Sequence, residues 1–334
     1  MKRMKIVLAS PNYPQLRGNT ITVQRIADNL KNLGVETEII STTNENVIHS
    51  FPVADVIHGF HAYNFYQFLQ KLDSKPAHYI VTMTGTDLNQ DLFNPDKRLD
   101  VLTCLHESDA IHVFDKKAEE LLIKEGPWLT NKIFIMAQGN QTSSTGVSSF
   151  TKEPDSLLFF LPAGIRKVKN IPVAISMLQE LYQSYPQLRL WLVGPILEEE
   201  EGRIVMELID RHKDWICYLG QVPHEEMGAV YRQTDVVLNT SLSEGQPATI
   251  LEAMGHALPV LASDIPGNSS IISDRKTGLL YKTRNEFLDY AEKLVNNNKI
   301  RQSIGQSAEA YVKQHHSSER EAETLLKVYQ HILK

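Results

Sequence analysis

Short aliphatic and β-branched runs recur along the chain, and each is followed by a stretch whose apolar residues return at helical spacing. In the first half the runs are Lys5–Ser10, Val35–Ile40, Asp55–Phe60, His78–Gly85, Asp109–Phe114 and Lys132–Gly139. In the second half they are Ser156–Gly164, Leu188–Pro195, Trp215–Val222, Asp235–Ser241, Pro259–Asp264 and Thr277–Tyr281. Continuous apolar strands separated by helices predict parallel βαβ units. Between the two sets, Gln141–Ser149 is small, polar and aperiodic, which predicts a linker. The pattern therefore predicts an α/β chain of two tandem, Rossmann-like doubly wound domains, one over residues 1–150 and one over 151–317. Helices continue after Asp289, with Ala322, Leu325, Leu326, Val328, Tyr329 and Ile332 at helical spacing, so a terminal helix over 318–334 is available to complete the first domain. Two such domains in tandem predict a cleft at the C-terminal ends of their sheets, where open α/β sheets place ligands.

Composition narrows the partners. The chain has 334 residues, 42% hydrophobic and 22% charged, which is ordinary for a globular protein with core enough for two domains. A net charge of -6 with scattered basic residues argues against nucleic acid. Cys104 and Cys217 lie far apart and outside any metal pattern, and the apolar run Ile6–Ala9 is too short for a signal segment, so a cytoplasmic protein is expected. The stretch Val23–Leu33 carries Arg25, Lys31 and Asp28 on its polar side, which predicts at most weak peripheral membrane contact. Glu198–Glu201 reads as a solvated first turn of a helix.

Candidate chemistry gathers in Ser243-Glu244-Gly245-Gln246-Pro247-Ala248-Thr249-Ile250-Leu251-Glu252-Ala253-Met254-Gly255. A buried strand before it and Pro247 at a helix start place Glu244 on a loop and Glu252 about two helical turns on. That separation forbids a shared proton, so the carboxylates suit two parts of one long ligand, accepting hydrogen bonds from sugar or ribose hydroxyls. Spacing alone fits equally well a loop charge and a solvated helix residue. Arg166 and Lys169, in the loop after the first strand of the second half, are cations placed to stabilise a departing diphosphate. There is no G-x-G-x-x-G, no Walker A loop and no Asp-x-Asp, which demotes nicotinamide chemistry, P-loop phosphoryl transfer and a metal-held diphosphate.

Taken together these residues resemble the retaining glycosyltransferases of the GT-B fold, family four, also called glycosyltransferase group one. The resemblance runs through Gly164, Arg166 and Lys169, then Leu192-Val193-Gly194-Pro195, Leu219-Gly220-Gln221-Val222, Ser243 to Met254, Leu258–Ser263 and Thr277–Leu280. In the first half Arg17-Gly18-Asn19-Thr20, His61-Ala62-Tyr63 and Gly85–Asp91 look like the branch that contains the vertebrate glycosyltransferase one domain-containing proteins. The resemblance implies that Glu244 contacts the donor sugar and that amides of Gly245, Gln246, Ala248 and Thr249 cradle sugar and phosphates. It further implies that Glu252 holds the ribose, that Arg166 and Lys169 hold the diphosphate, and that the backbone near Val222 meets the base. Gly18 and Gly194 join the donor-binding set. A strand-end histidine beside the donor sugar is either His61 or His58, with His61 favoured by its His-x-Tyr context. Implied as well are a UDP-, GDP- or ADP-sugar donor, no further cofactor, no metal and an unidentified hydroxyl acceptor. Glu244-Gly245-Gln246-Pro247 departs from the usual Glu-Gly-Phe-Gly, which leaves the donor open. A binding protein without transfer activity and a sugar-nucleotide epimerase are the alternatives.

Overall fold

The structure, a computed structural model, describes residues 3–15, 18–43, 49–141 and 149–334. Arg17 of the Arg17–Thr20 motif, Leu16 beside it and residues 142–148 of the expected linker lie outside the described residues.

Every predicted run coincides with a strand, the second strand ending one residue past its run. The first six are β1 (Lys5–Ser10), β2 (Glu36–Ser41), β3 (Val56–Phe60), β4 (Tyr79–Thr82), β5 (Ala110–Val113) and β6 (Ile133–Ile135). They form one 6-stranded sheet in the order β2-β1-β3-β4-β5-β6. The second six are β7 (Leu157–Pro162), β8 (Leu188–Val193), β9 (Ile216–Tyr218), β10 (Val236–Asn239), β11 (Val260–Ser263) and β12 (Leu279–Tyr281), ordered β12-β11-β10-β7-β8-β9. All their pairings are parallel. Several strands are shorter than the runs because the last residues of those runs, such as Ala163-Gly164 and Thr240-Ser241, leave the ladder to form loops at the C-terminal edge.

Each sheet is buried on both faces because successive side chains alternate across it. In β1, Val7 and Ala9 pack on the helices Ala62–Leu69 and Arg98–Glu107, whereas Ile6 and Leu8 pack on the helices Gly18–Asn32 and Ser318–Ile332. In β7, Leu157, Phe159 and Leu161 face the helices Ile171–Ser184 and Arg284–Asn296, and Leu158 and Phe160 face the helices His224–Tyr231 and Ala248–Gly255. The chain divides into two compact units, Met1–Gly139 with His316–Lys334, and Asn140–His315. No helix of the described residues is long and apolar enough to cross a membrane.

Two buried polar features tie the first unit together. Arg25 reaches Glu321 with Nε and Nη2, each at 2.9 Å, and Glu321 Oε1 also accepts the Gly139 N–H at 2.9 Å. This corrects the reading of Arg25 as an exposed cation. Its side chain is 5% exposed, which leaves Lys31, 3.8 Å from Asp28, as the remaining cation of that helix face. The second feature is a row of side chains running across the sheet: Tyr329 Oη to His58 Nδ1 at 2.7 Å, His58 Nε2 to Thr82 Oγ1 at 2.7 Å, Thr82 Oγ1 to His112 Nδ1 at 2.9 Å, and His112 Nε2 to the Met136 carbonyl at 2.8 Å. A carbonyl only accepts, so His112 carries its proton on Nε2, Thr82 donates to His112, His58 donates to Thr82 and Tyr329 donates to His58. Every member is therefore satisfied in one proton order.

Candidate functional site

The chain of the second unit adds β8 and β9 on one side of β7, then returns to add β10, β11 and β12 on the other. The loops leaving β7 and β10 therefore diverge at this reversal, the place where open α/β sheets form a ligand crevice. After β7 the chain runs through Ala163–Arg166, a tight turn Lys167–Lys169 and Asn170, with a φ of 54, into the helix Ile171–Ser184. After β10 it runs through Thr240–Pro247 into the helix Ala248–Gly255, with Pro247 as its cap residue. The two loops are stitched by the Leu242 N–H donating to the Val168 carbonyl at 2.8 Å and by the Thr240 hydroxyl donating to the Lys169 carbonyl at 3.0 Å.

That stitching brings Lys169 and Glu244 into direct contact. Lys169 Nζ donates to Glu244 Oε1 at 2.5 Å, with the side chains 16% and 10% exposed. The same oxygen accepts from the Ser241 hydroxyl at 2.6 Å and from Asn239 Nδ2 at 3.3 Å. Burial pushes the Glu244 carboxyl up, but the Lys169 charge and the hydrogen bonds from Lys169, Ser241 and Asn239 outweigh it and hold the group below the ordinary carboxylate range. The residues expected to grip different parts of a ligand are thus already partners. Arg166 is half-buried beside this pair's loop, and its Nε is buried with no acceptor among the described residues. A buried donor left unpaired costs about 1–3 kcal/mol, so the position suits an arriving anion.

The Glu244 loop is backed closely. A Cβ on Gly267 would lie 2.1 Å from the Gly245 carbonyl oxygen, so the short helix Pro266–Ser269 presses its backbone on the loop where only glycine fits. Asn268, fully buried, donates to Asn239 Oδ1 at 3.2 Å and to the Ser263 carbonyl at 2.9 Å, and the Ser263 hydroxyl donates to the Ser241 carbonyl at 2.6 Å. Gln246 is buried and donates to Ser270 Oγ at 3.4 Å. Ala248 and Thr249 form the first turn of their helix, where backbone N–H groups have no intrahelical acceptor. Gly194, with φ at 145, follows β8; a Cβ there would sit 2.3 Å from the Ala163 carbonyl oxygen. Val222 is buried after β9.

Glu252 is not a solvated helix residue. It is 7% exposed, and its Oε2 accepts from the Tyr231 hydroxyl at 2.9 Å while Oε1 lies 3.2 Å from His224 Nε2. Tyr231, His224, Asn239, Ser241 and Asn268 are the side chains that the sequence reading passed over. The one available signal was that β10 turns abruptly polar at Asn239-Thr240-Ser241.

Gly18 and both histidines belong to the other unit. Gly18 is exposed at the start of its helix. His58 lies fully inside the row described above. His61 follows β3 with φ at 70, accepts the Asn64 N–H on Nδ1 at 3.4 Å and meets Thr86 Oγ1 through Nε2 at 2.9 Å. Asp91 lies 3.8 Å from His61 Nε2 and pairs with Lys97 at 2.8 Å.

The profile of the family described as Glycosyl transferases group 1 matches residues 147–311. Glycosyltransferase 1 domain-containing protein 1 of Xenopus tropicalis is 31% identical over 250 residues, 72% of this chain and 72% of that protein. Among solved structures, sucrose-phosphate synthase from Thermosynechococcus elongatus superposes with a TM-score of 0.79 at 16% identity, covering 98% of this chain and 99% of that one. HepE from Anabaena, in complex with UDP and glucose, gives a TM-score of 0.77 at 15% identity, covering 98% and 100%. Identities this low speak for the shared fold.

Proposed function

The chain belongs to the group 1 glycosyl transferases, enzymes of the GT-B fold, and from that membership we propose that it moves a sugar from a nucleoside-diphosphate sugar to a hydroxyl acceptor, retaining the anomeric configuration and using no metal ion. The observation that carries this reading is the cluster at the β7/β10 reversal, where Lys169 meets Glu244 and the same loop carries Arg166, whose buried Nε has no partner among the described residues. The diphosphate binds Arg166 and Lys169, which stabilise the charge that builds as the bond between the anomeric carbon and the phosphate oxygen breaks. Glu244 accepts sugar hydroxyls, Glu252 accepts the ribose diol, the amides of Gly245, Gln246, Ala248 and Thr249 cradle phosphate and sugar, and the backbone at Val222 meets the base. Gly194 keeps the neighbouring loop close. The acceptor oxygen attacks from the face the phosphate leaves, and a phosphate oxygen takes its proton, so no protein nucleophile is required.

Of the two histidines we assign the sugar-side role to His61. Both ring nitrogens of His58 are committed inside the first unit, whereas His61 is held at a strand end in a left-handed conformation. We also assign Gly18, at the start of its helix, to the donor-binding set. Binding seen in the relative HepE, whose structure contains UDP and glucose, supports UDP as the first donor base to try. A thermal-shift screen against UDP-, GDP-, ADP- and TDP-sugars, followed by NMR of the product anomer, tests the proposal. Stabilisation by one donor and a product of unchanged anomeric configuration are expected; an inverted product refutes retention, and stabilisation without any turnover supports a binding protein instead.

A further inference from the structure

Glu252 enters the proposed function as the residue that holds a ribose diol, and the structure shows what holds Glu252. Tyr231 is fully buried, its ring edge-on to Phe160 at 5.3 Å and stacked on His256 at 5.1 Å. A ring wedged on both sides fixes its hydroxyl, which donates to Glu252 Oε2 at 2.9 Å, with the Thr249 carbonyl farther off at 3.4 Å. Burial and the Glu252 charge raise the Tyr231 hydroxyl pKa well above its ordinary value, so it remains a donor at neutral pH. On the other oxygen, His224 Nε2 lies 3.2 Å from Oε1, at the first position of the helix His224–Tyr231 with its side chain 34% exposed.

A carboxylate offers about four lone-pair sites. Among the described residues Tyr231 takes one on Oε2 and His224 one on Oε1, which leaves one on each oxygen. Two parallel acceptor sites on adjacent oxygens match the two hydroxyls of a vicinal cis-diol, and a rotating carboxylate would not hold them in register. We propose that Tyr231 and His224 are positioning residues that lock the Glu252 carboxylate as a receptor for a vicinal diol, and that this lock makes the site select ribonucleotides over nucleotides lacking the diol. The inference rests on the donor reading above and adds to it the residues that set sugar specificity in the nucleoside half of the donor.

Isothermal titration calorimetry with UDP, GDP and ADP first identifies the nucleotide that the wild-type chain takes. The 2′,3′-dideoxy form of that nucleotide and inorganic pyrophosphate are then titrated into wild type, Tyr231→Phe and His224→Ala. Wild type is expected to prefer the ribonucleotide by about tenfold or more, the scale of a charge-assisted hydrogen bond. Tyr231→Phe is expected to lose about tenfold on the ribonucleotide and nothing on the dideoxy form or pyrophosphate, and His224→Ala about threefold on the ribonucleotide alone. Full retention of the preference in Tyr231→Phe overturns the inference, and so does an equal loss on all three ligands, which marks a merely structural tyrosine. Should Tyr231→Phe fail to fold, the partly exposed His224 decides, and an undiminished preference in His224→Ala overturns the proposal. A wild-type chain that binds none of the three nucleotides overturns the donor reading itself, an outcome distinct from binding without ribose preference.

Discussion

Both sheets carry a buried polar network, and the two are built to opposite ends. In the first unit the row Tyr329, His58, Thr82, His112 and Met136 runs across the middle of the sheet, and each donor meets one acceptor in a single order. In the second unit Lys169, Glu244, Ser241, Asn239 and Asn268 gather at the C-terminal ends of β7, β10 and β11, and Arg166 Nε and Asn268 Oδ1 remain without partners among the described residues. A closed network returns the cost of its own desolvation and fixes the fold; one with a buried donor left over has a place for something else. The position of the unpaired atoms sharpens the point. Ser10 Oγ and Thr42 Oγ1, at the ends of β1 and β2, also lie at a C-terminal edge, and His78 Nδ1, beside Asp109, is the exception.

Substitutions in the closed features should therefore change stability and spare turnover, and those in the open one should reduce turnover. The largest stability effect is expected from Arg25→Ala, which strands the Glu321 carboxylate in the interior and should cost about 3–5 kcal/mol, read as a lowered urea midpoint. Lys169→Ala should lower turnover by roughly 10²–10³, the scale of one lost preorganised charge stabiliser, and a steady-state assay with the matched donor checks it. Turnover close to wild type in that variant removes Lys169 from the diphosphate site.

Acid should separate the networks further. Burial lowers the His112 pKa to about 4, against upward pulls from the Met136 carbonyl hydrogen bond and the Glu321 charge, and burial lowers His58 well below its ordinary value. Both are neutral when folded, while the unfolded chain protonates them near pH 6.5, so their contribution is complete above about pH 6.5 and is lost as pH falls towards 4. For His112 alone the loss amounts to about 3 kcal/mol. Urea unfolding at pH 7.5 and pH 5 should show about 2 kcal/mol of it, and His112→Gln should flatten the difference; an equal difference in that variant refutes the assignment. The smallest effect, about 1–2 kcal/mol, is expected from Tyr329→Phe, which leaves His58 Nδ1 without its donor.

The strands were legible in the sequence because parallel strands buried on both faces are apolar without interruption, as in Leu157–Pro162. The cations and carboxylates of the second unit were legible as residue types on loops, since βα loops at one sheet edge are fixed by topology. Contacts between distant residues were not. Arg25 passes for a surface cation because its partner Glu321 lies 296 positions away. Tyr231 passes for a core aromatic because nothing local shows that its hydroxyl meets Glu252, and the contact of Lys169 with Glu244 depends on the crossover that seats β10 beside β7. The segment Gln141–Ser149, read as a polar linker, is only partly within the described residues.

The central claim is that the polar cluster at the β7/β10 reversal receives a diphosphate, and Arg166 tests it most directly because its Nε has no acceptor among the described residues to lose. Binding of UDP, GDP and ADP to wild type and Arg166→Ala, measured by calorimetry alongside the unfolding midpoint without ligand, gives the answer. We predict that the variant keeps or slightly raises the midpoint while losing about tenfold or more in affinity for the nucleotide that wild type binds. A variant that binds that nucleotide as tightly as wild type contradicts the account.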